Sequence, residues 1–261
     1  MVLTARIQTV LLVFLLVAIP HAWGLCSSAQ IEEIEPVLTL ADKAVHGTAS
    51  FGALLGSDVY DTAGNLGVTF PLGNIKAGRL YFLGDMYTYI KNPGGQRFAP
   101  QRVIYTLEPG YYWERGNAGY TLFIEHQSSH LIDQPAIGPE SESYELYGFS
   151  YRQLRPPHFY AEVGKYLDKR VVDYDWDLAT SATWDLPPWG TKQPYLHGWL
   201  HHVTETDGPN GRDGFTDYAA EFGVAYDTGV TPFARYEFLN DINHFAGSSD
   251  HYVLLGVRYT W

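Results

Sequence analysis

From about residue 48 onward, apolar and polar side chains alternate in runs of roughly ten residues, each run closed by Gly, Pro, Asn or Asp. A period of two is the pattern of a strand with one apolar and one wet face, and turn residues between such runs mark hairpins. The clearest run is the last, "HYVLLGVRYTW", in which Val253, Leu255, Val257, Tyr259 and Trp261 share one face. Leu254, Gly256, Arg258 and Thr260 share the other. Reading backwards, the same pattern predicts strands near 231–239, 215–226, 195–204, 173–184, 159–168, 144–154, 119–131, 102–113 and 79–91. "TASFGALLGSDVY" and "LGVTFPLG" add two more, which makes twelve, with ten as the alternative.

No segment after residue 30 reaches the roughly eighteen consecutive apolar residues of a membrane helix. The final strand, closed by an aromatic residue, resembles the C-terminal signature of bacterial outer-membrane barrels. That resemblance implies an all-β, transmembrane, antiparallel up-and-down barrel in a Gram-negative outer membrane. Connection lengths agree with it, because such barrels have tight periplasmic turns and longer external loops. "ERGNAG", "LRPPH" and "YDTGVT" are tight; "NPGGQRFAP", "QPAIGPESES", "TDGPNGRDG" and "DINHFAGSSD" are long, with "PPWGTKQP" a longer turn among the tight ones.

The start of the chain fits this destination. Arg6, then the apolar run from Val10 to Ala18, then small residues, read as an export signal over 1–29, with cleavage after Gly24 or after Ala29. Residues 30–45 read as a short periplasmic segment and 46–261 as the barrel. Cys26 is the one cysteine, so no disulfide forms within the chain. Twenty Tyr, seven Trp, thirteen Phe and 26 Gly with 18% charged residues suit a wall that is apolar outside and polar inside. The net charge of −12 argues against nucleic acid as a partner.

Candidate chemistry lies in "FIEHQSSHLID". On an upward strand over 119–131, Leu122, Ile124, His126, Ser128 and His130 share one face, and Thr121, Phe123, Glu125, Gln127 and Ser129 the other. The first set begins apolar and is expected to face lipid, which puts an imidazole and a hydroxyl where polar groups are costly. On the next strand Tyr147, Phe149 and Tyr151 would face lipid, and Glu145 has their parity. Ser and His two residues apart sit about 6.6 Å apart at Cα, close enough for their side chains to meet. A base, a nucleophile and an orienting carboxylate are then His126, Ser128 and Glu145, with Asp133 as the rival acid. Backbone N–H groups near Ser129 are the expected oxyanion donors. Ser129, His130 and Tyr147 are the expected substrate contacts.

His-x-Ser on an outward-facing barrel strand resembles outer-membrane phospholipase A and the lipid A deacylase. In both, Asn commonly follows the Ser, where this chain has Ser129 and His130. The phospholipase resemblance would bring an Asn as third member, whereas the deacylase, with a Glu partner, fits Glu145 better. The longer string "HQSSHLID" looks like an uncharacterised family of outer-membrane barrel proteins. These resemblances imply a serine esterase, a lipid acyl hydrolase acting on phospholipid or lipid A at the outer leaflet. The alternative is a non-catalytic barrel, either a small porin or channel or a surface-interaction protein.

No metal site is expected at the motif, since His126 and His130 lie about 13 Å apart along a strand. No cofactor is required by this reading, with calcium and a homodimer left open; the expected partners are membrane lipids or lipopolysaccharide. His197, His201 and His202 read as an interfacial cluster near the tight-turn end of their strand. The loop from Asp207 reads as turn chemistry rather than a calcium loop. Tyr111, Tyr112, Trp113, Trp176, Trp184 and Trp189 read as rings at headgroup level.

Overall fold

The computed structural model describes residues 45–57, 60–91, 99–131, 141–167, 174–205, 214–240 and 250–261. The segment 1–29 read as an export signal, residues 30–44 and most of the loop from Asp207 lie outside them. Twelve antiparallel strands close into one barrel, each paired with its neighbours in sequence and the last with the first. They are β1 (His46–Leu55), β2 (Thr62–Ile75), β3 (Gly78–Lys91), β4 (Ala99–Arg115), β5 (Ala118–Leu131) and β6 (Ser141–Gln153). The second half is β7 (His158–Tyr166), β8 (Trp176–Asp185), β9 (Lys192–Val203), β10 (Phe215–Tyr226), β11 (Val230–Leu239) and β12 (Asp250–Thr260).

The alternation that predicted the strands also sorts their faces. On β12, Val253, Leu255, Val257 and Tyr259 are exposed on the outside while Tyr252, Leu254 and Arg258 are buried inside. Leu107, Leu122, Tyr147, Phe149, Leu200 and Phe222 continue the same exposed apolar wall around the barrel. Only hydrocarbon makes such a surface favourable, because in water it would be a large uncovered apolar patch. Connections fall into two sets by end. Residues 76–77, 116–117, 154–157, 186–191 and 227–229 join strands at one rim, and 56–61 with the longer 92–98, 132–140, 167–175, 204–214 and 240–249 join them at the other. Loop length therefore makes the second rim the external one.

The interior is filled from the walls. Tyr81 faces Gly110, Phe123 faces Gly148, Tyr195 faces Gly223 and Phe233 faces Gly256 across adjacent strands. In each pair a methyl on the glycine would overlap the ring, so glycine is what lets the aromatic side chain lie flat across its neighbour. Charged side chains fill the rest. Glu221 accepts from Arg258 Nη2 at 3.0 Å and from Arg235 Nε at 2.9 Å, and Arg235 Nη1 donates to Glu237 at 2.8 Å. Tyr195 donates to Glu221 and Tyr252 to Glu237, so these buried carboxylates are compensated by cations and hydroxyls together. A cavity of about 300 Å³ remains, bordered by Asp85, Glu125, Trp199 and Arg235 among others.

Two sequence expectations need correction. Tyr112 is buried inside, where it donates to Glu114, and is not a headgroup-level ring: its parity is that of the lumen face of β4. The histidine cluster is not near the tight-turn end. β9 begins at Lys192, which puts His197 in mid-strand and His201 and His202 near the external end.

Candidate functional site at the outer rim of strands five and six

β5 leaves the tight hairpin at Gly116, whose φ of 65° suits the left-handed position of a short turn. It then rises with strict alternation. Leu122 and Ile124 are 52% and 56% exposed on the outside, whereas Thr121 and Phe123 are buried and Glu125 and Gln127 border the internal cavity. The period of two carries His126, Ser128 and His130 onto the lipid-facing side.

Height can be read from the aromatic belt below. Trp113 stacks on Tyr120 with ring centroids 5.5 Å apart, and Tyr120 meets Tyr151 edge-on at 5.7 Å, so a girdle crosses β4, β5 and β6 at the level of Tyr120. Ser128 lies eight residues further, about 26 Å along the strand. At a tilt of about 40° that is roughly 20 Å of height, against an apolar band of about 25 Å. Ser128 therefore sits just inside the external edge of the hydrocarbon, the level at which acyl esters meet headgroups.

Register does the rest. His126 is directly opposite Glu145 on β6, and Ser128 is flanked by Tyr105 on β4 and Ser143 on β6. His126 Nδ1 lies 3.2 Å from Glu145 Oε1. An ionised carboxylate only accepts, so the imidazole donates Nδ1–H and keeps its Nε2 lone pair free for a proton. The two side chains are 41% and 42% exposed, open to a molecule arriving from the bilayer. Ser128 Oγ lies 3.1 Å from His130 Nε2, so the hydroxyl rests against the upper imidazole rather than against His126. The edge of Tyr105 supports His130, with centroids 5.9 Å apart. Tyr147, on the same face two residues below Glu145, is exposed toward lipid.

Ser129 points the other way. Its hydroxyl accepts from Arg102 Nη1 at 2.9 Å inside the barrel, so its side chain cannot meet a substrate held at Ser128. The pleat separates consecutive residues onto opposite faces, which removes Ser129 from the outer surface. Asp133 lies outside the described residues. Tyr105 was missed by the sequence reading, although its parity with Leu107 was visible; only the register sets it beside Ser128. Among the described residues no group of three His, Cys, Asp or Glu side chains is arranged to hold a metal ion.

No protein-family model matches the chain, and no curated protein matches its sequence. Solved structures do match in shape. The outer membrane phospholipase A of Escherichia coli aligns with a TM-score of 0.51 at 12% identity, over 87% of this chain and 94% of that one. The chain folds as a bacterial outer-membrane barrel. Its apolar outer wall, polar interior and belt of rings put it in the bacterial outer membrane. LpxR from Salmonella typhimurium aligns with a TM-score of 0.45 at 9% identity, over 83% of this chain and 99% of that one. OmpF of Salmonella typhi aligns with 0.42 at 8%, over 84% and 97%.

Proposed function

We propose that this protein is a lipid acyl hydrolase, a serine esterase acting on phospholipid or lipid A at the outer leaflet. The observation that carries the proposal is the His126–Glu145 pair beside Ser128, on the lipid-facing wall at the depth of acyl esters. Three polar side chains in a lipid-facing wall are costly in their setting, and together they supply a base, an orienting acid and a nucleophile.

In this reading Ser128 turns about χ1 from the staggered well beside His130 to the one beside His126. His126 Nε2 takes the hydroxyl proton as Oγ bonds to the ester carbonyl carbon and the carbonyl electron pair moves onto oxygen. Collapse reforms the carbonyl, breaks the bond to the lipid alkoxide and returns the proton from His126 to that leaving group. Water then repeats the cycle on the acyl-enzyme and releases fatty acid. The Glu145 carboxylate holds the ring and stabilises the imidazolium in a medium of low dielectric. Tyr147 and the neighbouring apolar wall offer a track for the acyl chain. By its name, the phospholipase neighbour acts on phospholipid, which makes phospholipid the first substrate to test.

The competing channel reading is disfavoured by the Glu221, Arg235, Arg258 and Glu237 network, which fills part of the interior along β10, β11 and β12. Purified barrel in mixed micelles should release fatty acid from phospholipid or lipopolysaccharide, and Ser128→Ala should not. Steady conductance in planar bilayers with no release from either lipid would reject the hydrolase.

A further inference from the structure

A tetrahedral intermediate needs hydrogen-bond donors at the oxygen that gains the charge, and on β5 the usual donors are already committed. Pairing runs unbroken from Arg102↔Leu131 to Leu107↔His126 on one side of the strand. On the other it runs from Ala118↔Gln153 to His130↔Ser141. Each backbone N–H from His126 to His130 is therefore turned toward a carbonyl of β4 or β6 in the plane of the sheet. None is free to reach out to an oxyanion above the outer surface, which overturns the expectation that amides near Ser129 serve this purpose.

A side-chain donor takes their place. We infer that His130 is the oxyanion donor of the site, giving its Nε2–H to the carbonyl oxygen of the ester that Ser128 attacks. This rests on the hydrolase reading above and adds to it a role for the second imidazole.

The geometry is set by the resting serine. Oγ now occupies a point 3.1 Å from His130 Nε2. Turning to His126 moves Oγ to a neighbouring staggered well about 2.3 Å away. In the tetrahedral adduct the oxyanion lies at about that same distance from the attacking oxygen. The vacated point is itself a bond length from Cβ, so the oxyanion projects past it on the same side, toward His130 Nε2, where a donor about 2.7–3.1 Å away stabilises it. The Tyr105 ring, edge-on to His130, keeps the imidazole from swinging away when the serine leaves it. His126 cannot share the task, because its Nδ1 is held by Glu145 and its Nε2 receives the serine proton.

A donor and a base respond differently to substitution. His130→Ala should lower kcat about 10²- to 10³-fold with little change in KM. His130→Gln, whose amide reaches the same point and donates but cannot serve as a base, should restore activity to within about tenfold of the parent. A long-chain alkylboronic acid, which forms a tetrahedral adduct on serine, should bind His130→Ala more weakly by a factor that tracks the loss in kcat. Cold and boiled gel mobility checks that each variant is folded. Full activity in His130→Ala would overturn the assignment, as would a His130→Gln variant as impaired as His130→Ala. Absence of any Ser128-dependent release in the parent would overturn the hydrolase, and this role with it. Ser128-dependent release indifferent to His130 overturns this role alone.

Discussion

Polar side chains occur in two settings in this barrel, and the contrast separates architecture from chemistry. Inside, Glu221, Glu237 and Arg258 are buried and Arg235 nearly so, each carboxylate meeting guanidinium and phenol groups. Outside, His126, Ser128, His130 and Glu145 form two separate pairs, each side chain only part-buried and surrounded by Tyr105, Tyr147 and Leu107. The inner set fills a space that would otherwise be empty, and its members compensate one another's burial. The outer set fills no interior space. What it keeps is reach: a basic nitrogen and a hydroxyl left available at a surface that lipid touches.

That contrast predicts opposite responses to mutation. Ser128→Ala should have the largest effect, lowering fatty-acid release by at least about 10⁴-fold with unchanged cold and boiled gel mobility; retained release would remove the distinction. Arg258→Met, which strips Glu221 of one of its two cations, should cost about 3–5 kcal/mol in urea unfolding from vesicles. Release per folded molecule should stay at the parent level, and a parallel loss of activity would mean that the two regions are coupled. Glu145→Gln should reduce kcat about 10²-fold without a comparable change in KM, since a neutral amide still bonds the ring but no longer stabilises its cation. Ser129→Ala is the smallest and sharpest case. It removes the Arg102 hydrogen bond at a cost on the order of 1–2 kcal/mol and should leave kcat within about threefold. A large fall in kcat there would mean that the inner face of β5 takes part in the reaction.

Much of the barrel was legible because a strand announces its two faces locally. "HYVLLGVRYTW" sorted itself onto the faces that β12 presents, and "YELYGFSYRQL" did so on β6. The lipid-facing parity of His126 and Ser128 followed from Leu122 and Ile124 just before them. Where the reading failed, the cause was local parity applied without its neighbours. Tyr112 went to the girdle because Tyr111 and Trp113 belong there. Ser129 was joined to the substrate because it follows Ser128. His197 was set near the tight turn because β9 starts three residues earlier than its alternation suggested, while His201 and His202 stand at the far end on either set of bounds. The ring-over-glycine pairs, such as Tyr195 across from Gly223, carry no local signal at all, since the partners lie 28 residues apart.

By itself, the sequence determined the class of fold, the strand count and the side of the wall on which His126, Ser128 and Glu145 stand, because each follows from a period of two within one strand. Tertiary structure alone decided that Glu145 stands opposite His126 and that Tyr105 flanks Ser128. The reason is register: pairing between strands depends on hairpin lengths and on closure of the whole sheet, and a shift of one residue would leave every local pattern intact while exchanging all of these neighbours.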